Sequence, residues 1–310
     1  MTKIDMIFGS TSDESKVMPG VIEYSKANPD ADICVHWASA DNTPDKVDAI
    51  MNDITKGTRR PMPLISGAGM SNVLTGVVKQ YAEIDDLVIG IPIFDEEMHG
   101  LSSILSTGEK PPRNPVLAVP LNGSYTAANI AYKFLKGGFD KVCVPMIPEL
   151  PQAERHCAHD FPKARDEMLQ MLGKYGIEAT AVPVENLKGD ELVISPFCRM
   201  TVYGADRHIR QTDRILSKGK GIQIAVAEPG YKARNYDSYA EYFNPELRST
   251  GYVTAGQYLN AVMVAAQILG HKDALNKIGL ERADKARKLA DEPMHAVKKG
   301  VVTKTPYKRI

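Results

Sequence analysis

Long apolar runs are missing from this chain of 310 residues. No stretch approaches the roughly 18 apolar residues that a membrane helix needs, and the run behind Met1-Thr2-Lys3-Ile4 is too short for a secretory signal core. Aromatic residues are scarce, at 7% with a single Trp, and 38 Lys and Arg balance 38 Asp and Glu. That composition excludes the basic, aromatic-studded surface typical of a nucleic-acid groove. Only four cysteines are present, Cys34, Cys143, Cys157 and Cys198, and none forms a C-x-x-C pair. Three of them lie in or beside apolar runs, so they read as buried thiols in a reducing compartment rather than a disulfide framework. A soluble, cytoplasmic protein is expected, with neither a membrane nor nucleic acid as partner.

What the chain does contain is alternation. Short apolar runs at Ile4–Phe8, Ile33–Trp37, Pro63–Ile65, Leu87–Ile91 and Val116–Val119 are separated by helical patterns at Glu14–Lys26, Pro44–Lys56, Leu74–Tyr81 and Ala127–Leu135. This order predicts parallel βαβ units in an open, three-layer α/β sheet. Functional loops in such a sheet follow the carboxyl ends of the strands. Three polar loops do: Gly9–Asp13, Ser39–Pro44 and Ser66–Gly76.

The first loop, Gly9-Ser10-Thr11-Ser12-Asp13, stands between a strand and a helix start. Free N–H groups and the positive end of a helix make such a place an anion site, to which Ser10, Thr11 and Ser12 add hydroxyl donors. Asp13 adds an acceptor suited to sugar hydroxyls. The ordinary alternative is an N-cap with no ligand, since Ser and Asp are common there.

The second half follows a similar order more loosely, with strands at Val142–Met146, Glu178–Val184, Glu191–Ile194 and Gly221–Ala227 and helices at Pro162–Lys174 and Tyr258–Leu269. Asn122-Gly123-Ser124-Tyr125-Thr126-Ala127 before one helix is similar to Thr254-Ala255-Gly256-Gln257-Tyr258-Leu259 before another. Two tandem repeats are therefore expected, residues 1–138 and 139–310, with a boundary near Lys136-Gly137-Gly138; two unrelated α/β domains are the alternative. Charge divides along the same line. Residues 1–140 hold 12 Lys and Arg against 18 Asp and Glu, which leaves the excess of cations in the second half.

Taken together, the loops Gly9–Asp13, Ser39-Ala40-Asp41-Asn42-Thr43-Pro44 and Gly67-Ala68-Gly69-Met70-Ser71-Asn72-Val73-Leu74-Thr75-Gly76, followed by His99-Gly100-Leu101-Ser102-Ser103-Ile104-Leu105, resemble the PurE family. Members carboxylate aminoimidazole ribonucleotide in purine synthesis on a flavodoxin-like α/β fold. The resemblance covers residues 3–136 well and the second half weakly, best at Asn260–Leu269. Gly69-Met70-Ser71-Asn72-Val73-Leu74 is similar to the loop of the class that uses carbon dioxide directly, since the class that rearranges N5-carboxyaminoimidazole ribonucleotide normally has a histidine there.

Carried over by position, the resemblance implies that Ser10 and Ser12 hold a phosphate, Asp13 a ribose and Ser39 a further phosphate contact. Ser71 and Asn72 would line the carboxylate or carbon dioxide pocket as catalytic residues, with Asn42 and Gly69 among the substrate-binding positions. It also implies no metal or organic cofactor, a ribonucleotide and carbon dioxide or bicarbonate as partners, and a homo-oligomer. Family members assemble as octamers of single repeats, so a tandem chain would form a tetramer.

Three positions depart from the family pattern. Asp41 and Asn42 stand where Ser-Ala is normally followed by His and then Lys or Arg, and Met70 stands where Arg is usual. A carboxylate serves as a general base when its pKa suits, which makes Asp41 the candidate proton shuttle. Arg199, Arg207 and His208 in the second half are candidates to supply the missing cations, because Arg suits bidentate phosphate binding; a solvated helix start is the alternative. The N5-carboxyaminoimidazole ribonucleotide mutase activity and a non-catalytic nucleotide-binding descendant remain alternatives. His156-Cys157-Ala158-His159-Asp160 lacks a partner cluster with zinc spacing and reads as a surface loop. Lys218-Gly219-Lys220-Gly221 lacks phosphate-loop spacing and reads as a turn.

Overall fold

The computed structural model describes residues 2–57, 60–146, 161–197, 205–227, 246–254, 257–290, 294–298 and 301–305. In the first half, strands β1 (Thr2–Phe8), β2 (Ala31–Trp37), β3 (Pro63–Ala68), β4 (Leu87–Pro92) and β5 (Leu117–Ala118) alternate with helices α1 (Glu14–Ala27), α2 (Pro44–Thr55), α3 (Val73–Val78), α4 (Leu101–Gly108) and α5 (Ser124–Lys136). The second half has β6 (Val142–Met146), α6 (Phe161–Lys174), β7 (Ala179–Pro183), β8 (Leu192–Phe197), α7 (Ala205–Leu216), β9 (Ile222–Ala227), β10 (Thr250–Val253), α8 (Tyr258–Leu269) and α9 (Lys272–Ala290). A hairpin, β11 (Met294–Lys298) and β12 (Val301–Thr305), forms its own two-stranded sheet.

The other ten strands form one sheet in the order β2-β1-β3-β4-β5-β10-β9-β8-β6-β7. Counted from its own first strand, each half runs 2-1-3-4-5. Every pairing in the sheet is parallel except β5 with β10, where Tyr252 faces Ala118 in antiparallel register. The carboxyl ends of the second half's parallel strands therefore open at the edge opposite to those of the first.

Alternation along the strands fills both faces. Ile4, Met6 and Phe8 of β1 pack with α1, α5, α6 and α8 residues in one large core, while Ile7 joins Val47 and Met51 of α2 and Leu74 and Val78 of α3 on the other face. In the second half, Leu192 and Ile194 face the large core, and Val193 meets Cys143 and Leu216 beneath α7. Parallel strands buried on both sides are what a three-layer α/β domain requires. No helix among the described residues is long and apolar enough to cross a membrane.

The expected helix Ala127–Leu135 begins three residues earlier, at Ser124, and Leu74–Tyr81 divides into α3 and a 3-10 turn at Lys79–Tyr81. Helices α4, α7 and α9 lay outside the expected pattern. In α4, Leu101-Ser-Ser-Ile-Leu-Ser-Thr-Gly is rich in residues that compete with helix backbone bonding. Tertiary contacts offset that cost: Ser103 Oγ donates to the Ile93 carbonyl, and Ser106 Oγ accepts the Asn72 amide, while the same hydroxyls also bond locally to the Gly100 and Ser102 carbonyls.

Candidate functional site

All three loops singled out by their place after a strand lie on one cleft of about 620 Å³ at the carboxyl ends of the first-half strands. Its wall includes Gly9, Ser10, Ser12 and Asp13, then Ser39 to Asn42, then Ala68 to Ser71 with Val73 and Leu74. The close packing of strand ends depends on Gly67. A Cβ there would stand 2.9 Å from the Ile91 carbonyl oxygen and 3.1 Å from the Phe8 ring.

The first loop enters α1 through a 3-10 turn, Thr11–Asp13. Ser10 Oγ accepts from the Ser12 amide at 3.1 Å and from Ser12 Oγ at 2.8 Å, so the two hydroxyls are held together at the cleft. Asp13 is only 7% exposed. Burial pushes its carboxyl pKa up, and Lys16 Nζ, 3.8 Å away, partly offsets that rise. Lys16 itself donates to the Phe94 carbonyl at 2.7 Å. Asp13 occupies the N-cap position of α1 without making a side-chain cap bond.

The second loop is a turn organised by Ser39, whose Oγ accepts the Asp41 and Asn42 amides at 3.3 and 3.1 Å. Asp41 and Asn42 are exposed on the cleft wall. In the third loop Met70 takes a left-handed backbone, φ 50°, which a non-glycine residue rarely adopts. Its side chain is 63% exposed and contributes an apolar rim beside Val73. Ser71 lies on the wall.

Asn72 does not join them. It is 1% exposed; its Oδ1 accepts the Thr75 amide as the cap of α3, and its Nδ2 donates to Thr107 Oγ1 at 2.7 Å. The side chain is turned inward because the helix start beneath it offers an unpaired N–H. Its place lining a carboxylate pocket is thereby corrected: Asn72 shapes the cleft from behind.

Of the residues proposed from the second half to supply cations, Arg207 and His208 start a helix away from this cleft. Arg207 and His208 belong to the first turn of α7, which follows the carboxyl end of β8 and so stands at the opposite edge of the sheet. His208 is half-buried there, while the Arg207 side chain, Arg199, Cys157, Cys198 and the cluster His156 to Asp160 lie outside the described residues. Among the described cysteines, Cys143 is buried and Cys34 half-buried, both as free thiols.

A fourth strand-end segment, after β4, completes the wall with Phe94, Asp95, Glu96 and Glu97. The Phe94 amide donates to Asn122 Oδ1, which anchors this segment to the loop before α5. Its signal was visible in the acidic run that directly follows a strand. Lys16 was equally legible, one helical turn beyond Asp13. The resulting wall bears five carboxylates, Asp13, Asp41, Asp95, Glu96 and Glu97, and one cation, Lys16. An anionic ligand would thus be held by hydroxyls and backbone N–H groups rather than by Arg or Lys forks. Among the described residues no three His, Cys, Asp or Glu side chains converge to hold a metal ion.

Comparison with known proteins bears on the same half. The family model described as AIR carboxylase matches residues 3–143. An N5-carboxyaminoimidazole ribonucleotide mutase of Pyrococcus abyssi is 33% identical over 137 residues, covering 44% of this chain and 74% of that protein. A protein of the same name from Saccharolobus solfataricus is 30% identical over 135 residues, 44% of this chain and 82% of that protein. A phosphoribosylaminoimidazole carboxylase of Schizosaccharomyces pombe is 28% identical over 132 residues, which cover 43% of this chain and 23% of the relative. Through residues 3–143 the chain belongs to the AIR carboxylase (PurE) family.

Proposed function

We propose that this cleft binds aminoimidazole ribonucleotide and transfers a carboxyl group to or from its ring carbon, with carbon dioxide as the direct source. The observation that supports this reading most is the convergence of Gly9–Asp13, Ser39–Asn42 and Gly69–Leu74 on one cleft. In this reading Ser10 and Ser12, at the positive end of α1, hold the phosphate. Ser39 contributes its hydroxyl hydrogen, since the oxygen already accepts two amides. Ser71 and the Gly69 backbone face the carboxyl group, and Met70 and Val73 exclude water from the heterocycle. Carboxyl transfer to an electron-rich ring carbon needs a group to move one proton at that carbon, and the wall carries carboxylates suited to it.

The names of the Pyrococcus and Saccharolobus relatives favour a second reading, in which the carboxyl group migrates from the ring substituent nitrogen. Asp41 and Asn42, in place of the family's His and cation, favour a third, a protein that binds the nucleotide without turnover. We also read the two halves as tandem copies of one unit, supported by their common strand order, and the assembly as a homo-oligomer.

Labelled carbon dioxide exchange into 4-carboxyaminoimidazole ribonucleotide, run beside a titration of the same ligand, tests these readings. Exchange above the uncatalysed rate is the expected result. Turnover only from the N5-carboxylated nucleotide would replace it with the mutase reading, and binding without any turnover would leave the third.

A further inference from the structure

We infer that Asp13, rather than Asp41, is the group that moves the proton at the reacting ring carbon. The inference rests on the carboxyl-transfer reading above and assigns its proton step. Both carboxylates are on the cleft wall, but their surroundings differ. Asp41 stands exposed at the tip of a turn, in contact with water. Asp13, lining the same cleft, is only 7% exposed.

Its bonding is as telling as its burial. A carboxylate at a helix start ordinarily takes a backbone N–H and is stabilised as the anion. Asp13 makes no such cap bond. The cation facing it, Lys16 Nζ, is 3.8 Å away, beyond hydrogen-bond reach, and is already committed to the Phe94 carbonyl at 2.7 Å. A carboxylate that is sunk in protein and poorly supplied with donors is more basic than a solvated one, and burial does push the Asp13 carboxyl up. The remaining acidic residues are worse placed. Glu96 and Glu97 are exposed, and Asp95, half-buried with its Oδ2 unpartnered, differs from Asp13 in holding a backbone N–H, the Met98 amide, on Oδ1 at 2.7 Å.

The step balances without an added reagent. An electron pair of the ring carbon forms the bond to carbon dioxide, and that carbon then bears both the carboxylate and its original hydrogen. The Asp13 carboxylate takes the hydrogen as a proton, and the C–H electron pair returns to the ring. In the reverse direction the Asp13 carboxylic acid gives its proton to the ring carbon, and the C–C bond breaks to release carbon dioxide. Lys16, close but not bonded, limits the charge that builds up when Asp13 ionises.

Carbon dioxide exchange and ligand binding are measured for the wild type, Asp13→Asn, Asp13→Glu and Asp41→Asn, with the kcat–pH profile of each active protein. General acid–base groups are worth on the order of 100-fold or more. Asp13→Asn is expected to lose about that much in kcat while its affinity for the ligand changes by less than about fivefold. The profile limb present in the wild type is expected to disappear. Asp13→Glu, which keeps the carboxyl, should retain a displaced limb with reduced kcat, and this variant decides the matter should Asp13→Asn not fold. Asp41→Asn should lose less than Asp13→Asn.

A rise in KM with kcat unchanged in Asp13→Asn would make Asp13 a ribose-holding residue and overturn the inference, as would a larger kcat loss in Asp41→Asn. Asp13→Glu with wild-type kcat and an unmoved limb overturns it as well. A wild type that exchanges no carbon dioxide removes the carboxyl-transfer reading itself, an outcome distinct from any change confined to the variants.

Discussion

Lys133 carries an ammonium group into the seam between the two halves. It stands 7% exposed, and its Nζ donates to the carbonyls of Leu216 and Gly221 and to Ser249 Oγ, at 3.1, 2.9 and 2.9 Å. Three acceptors match the three donors of the group, and Asp213 and Asp190 favour the charged form. Burial outweighs them and pulls the pKa down to about 8. The unfolded chain keeps this proton to about pH 10.4, so between pH 8 and 10 the unfolded state binds more protons and stability rises with pH. Lys79, pulled down to about 7 by burial and by Arg282 and Lys110, acts in the same direction from a lower pH. Tyr175, pushed up to about 12 by burial and its bond to Glu281, acts oppositely, because only the unfolded state ionises just above pH 10. The urea midpoint is therefore expected to climb from pH 7 to about 9.5 and then flatten, and the climb should be shallower in Lys133→Met. A flat or falling midpoint over that interval would refute the assignment.

At the scale of elements, α3 shows how a short helix is made to hold a site. Six residues cannot sustain a helix by propensity. Asn72 compensates by capping the Thr75 amide while it ties the helix start to Thr107 of α4 and to the Ile91 carbonyl of β4. Asn72→Ala removes the cap and leaves buried groups without partners, which should cost about 2–4 kcal/mol in urea denaturation. A loss under about 0.5 kcal/mol, the range of ordinary surface substitutions, would contradict this account. The identity of Asn72 was readable; its direction was not, because the groups it bonds lie on β4 and α4, brought together only by folding.

At the scale of the whole molecule, the halves are joined by the hydrophobic core they share, one short antiparallel contact and the polar seam beside it. At β10, a Cβ on Gly251 would meet Leu117 of β5 at 2.4 Å, so the close approach of the halves requires glycine there. Asn129 of α5 donates to the Arg248 carbonyl, Thr126 Oγ1 donates to the Leu247 carbonyl, and Arg113 pairs with Glu281 of α9 at 2.7 Å. Gly251→Val should force the strands apart and split calorimetric unfolding into two transitions, one for each half. A single transition at the wild-type temperature would show that the contact is dispensable. The acidic first half and basic second half are thus joined by a seam in which polar groups are largely paired and a side chain at one strand position is excluded.

Periodicity and loop chemistry are local, and they were legible. Alternating apolar runs placed β1 to β4 and α1 and α2 within a few residues, and Gly9–Asp13, Ser39–Asn42 and Gly69–Ser71 pointed to a cleft because open α/β sheets bind ligands outside the carboxyl ends of their strands. Those features the sequence determined by itself. Tertiary structure decided the rest: the antiparallel turn at β10 that carries Arg207 and His208 to the far edge, the inward rotation of Asn72, and the burial that sets Asp13 and Lys133 apart from their exposed counterparts. Each depends on partners tens of residues or more away in the chain. Solvent exposure and hydrogen-bond supply, which govern the basicity of a carboxylate or an amine, are properties of that assembled environment and not of the residue.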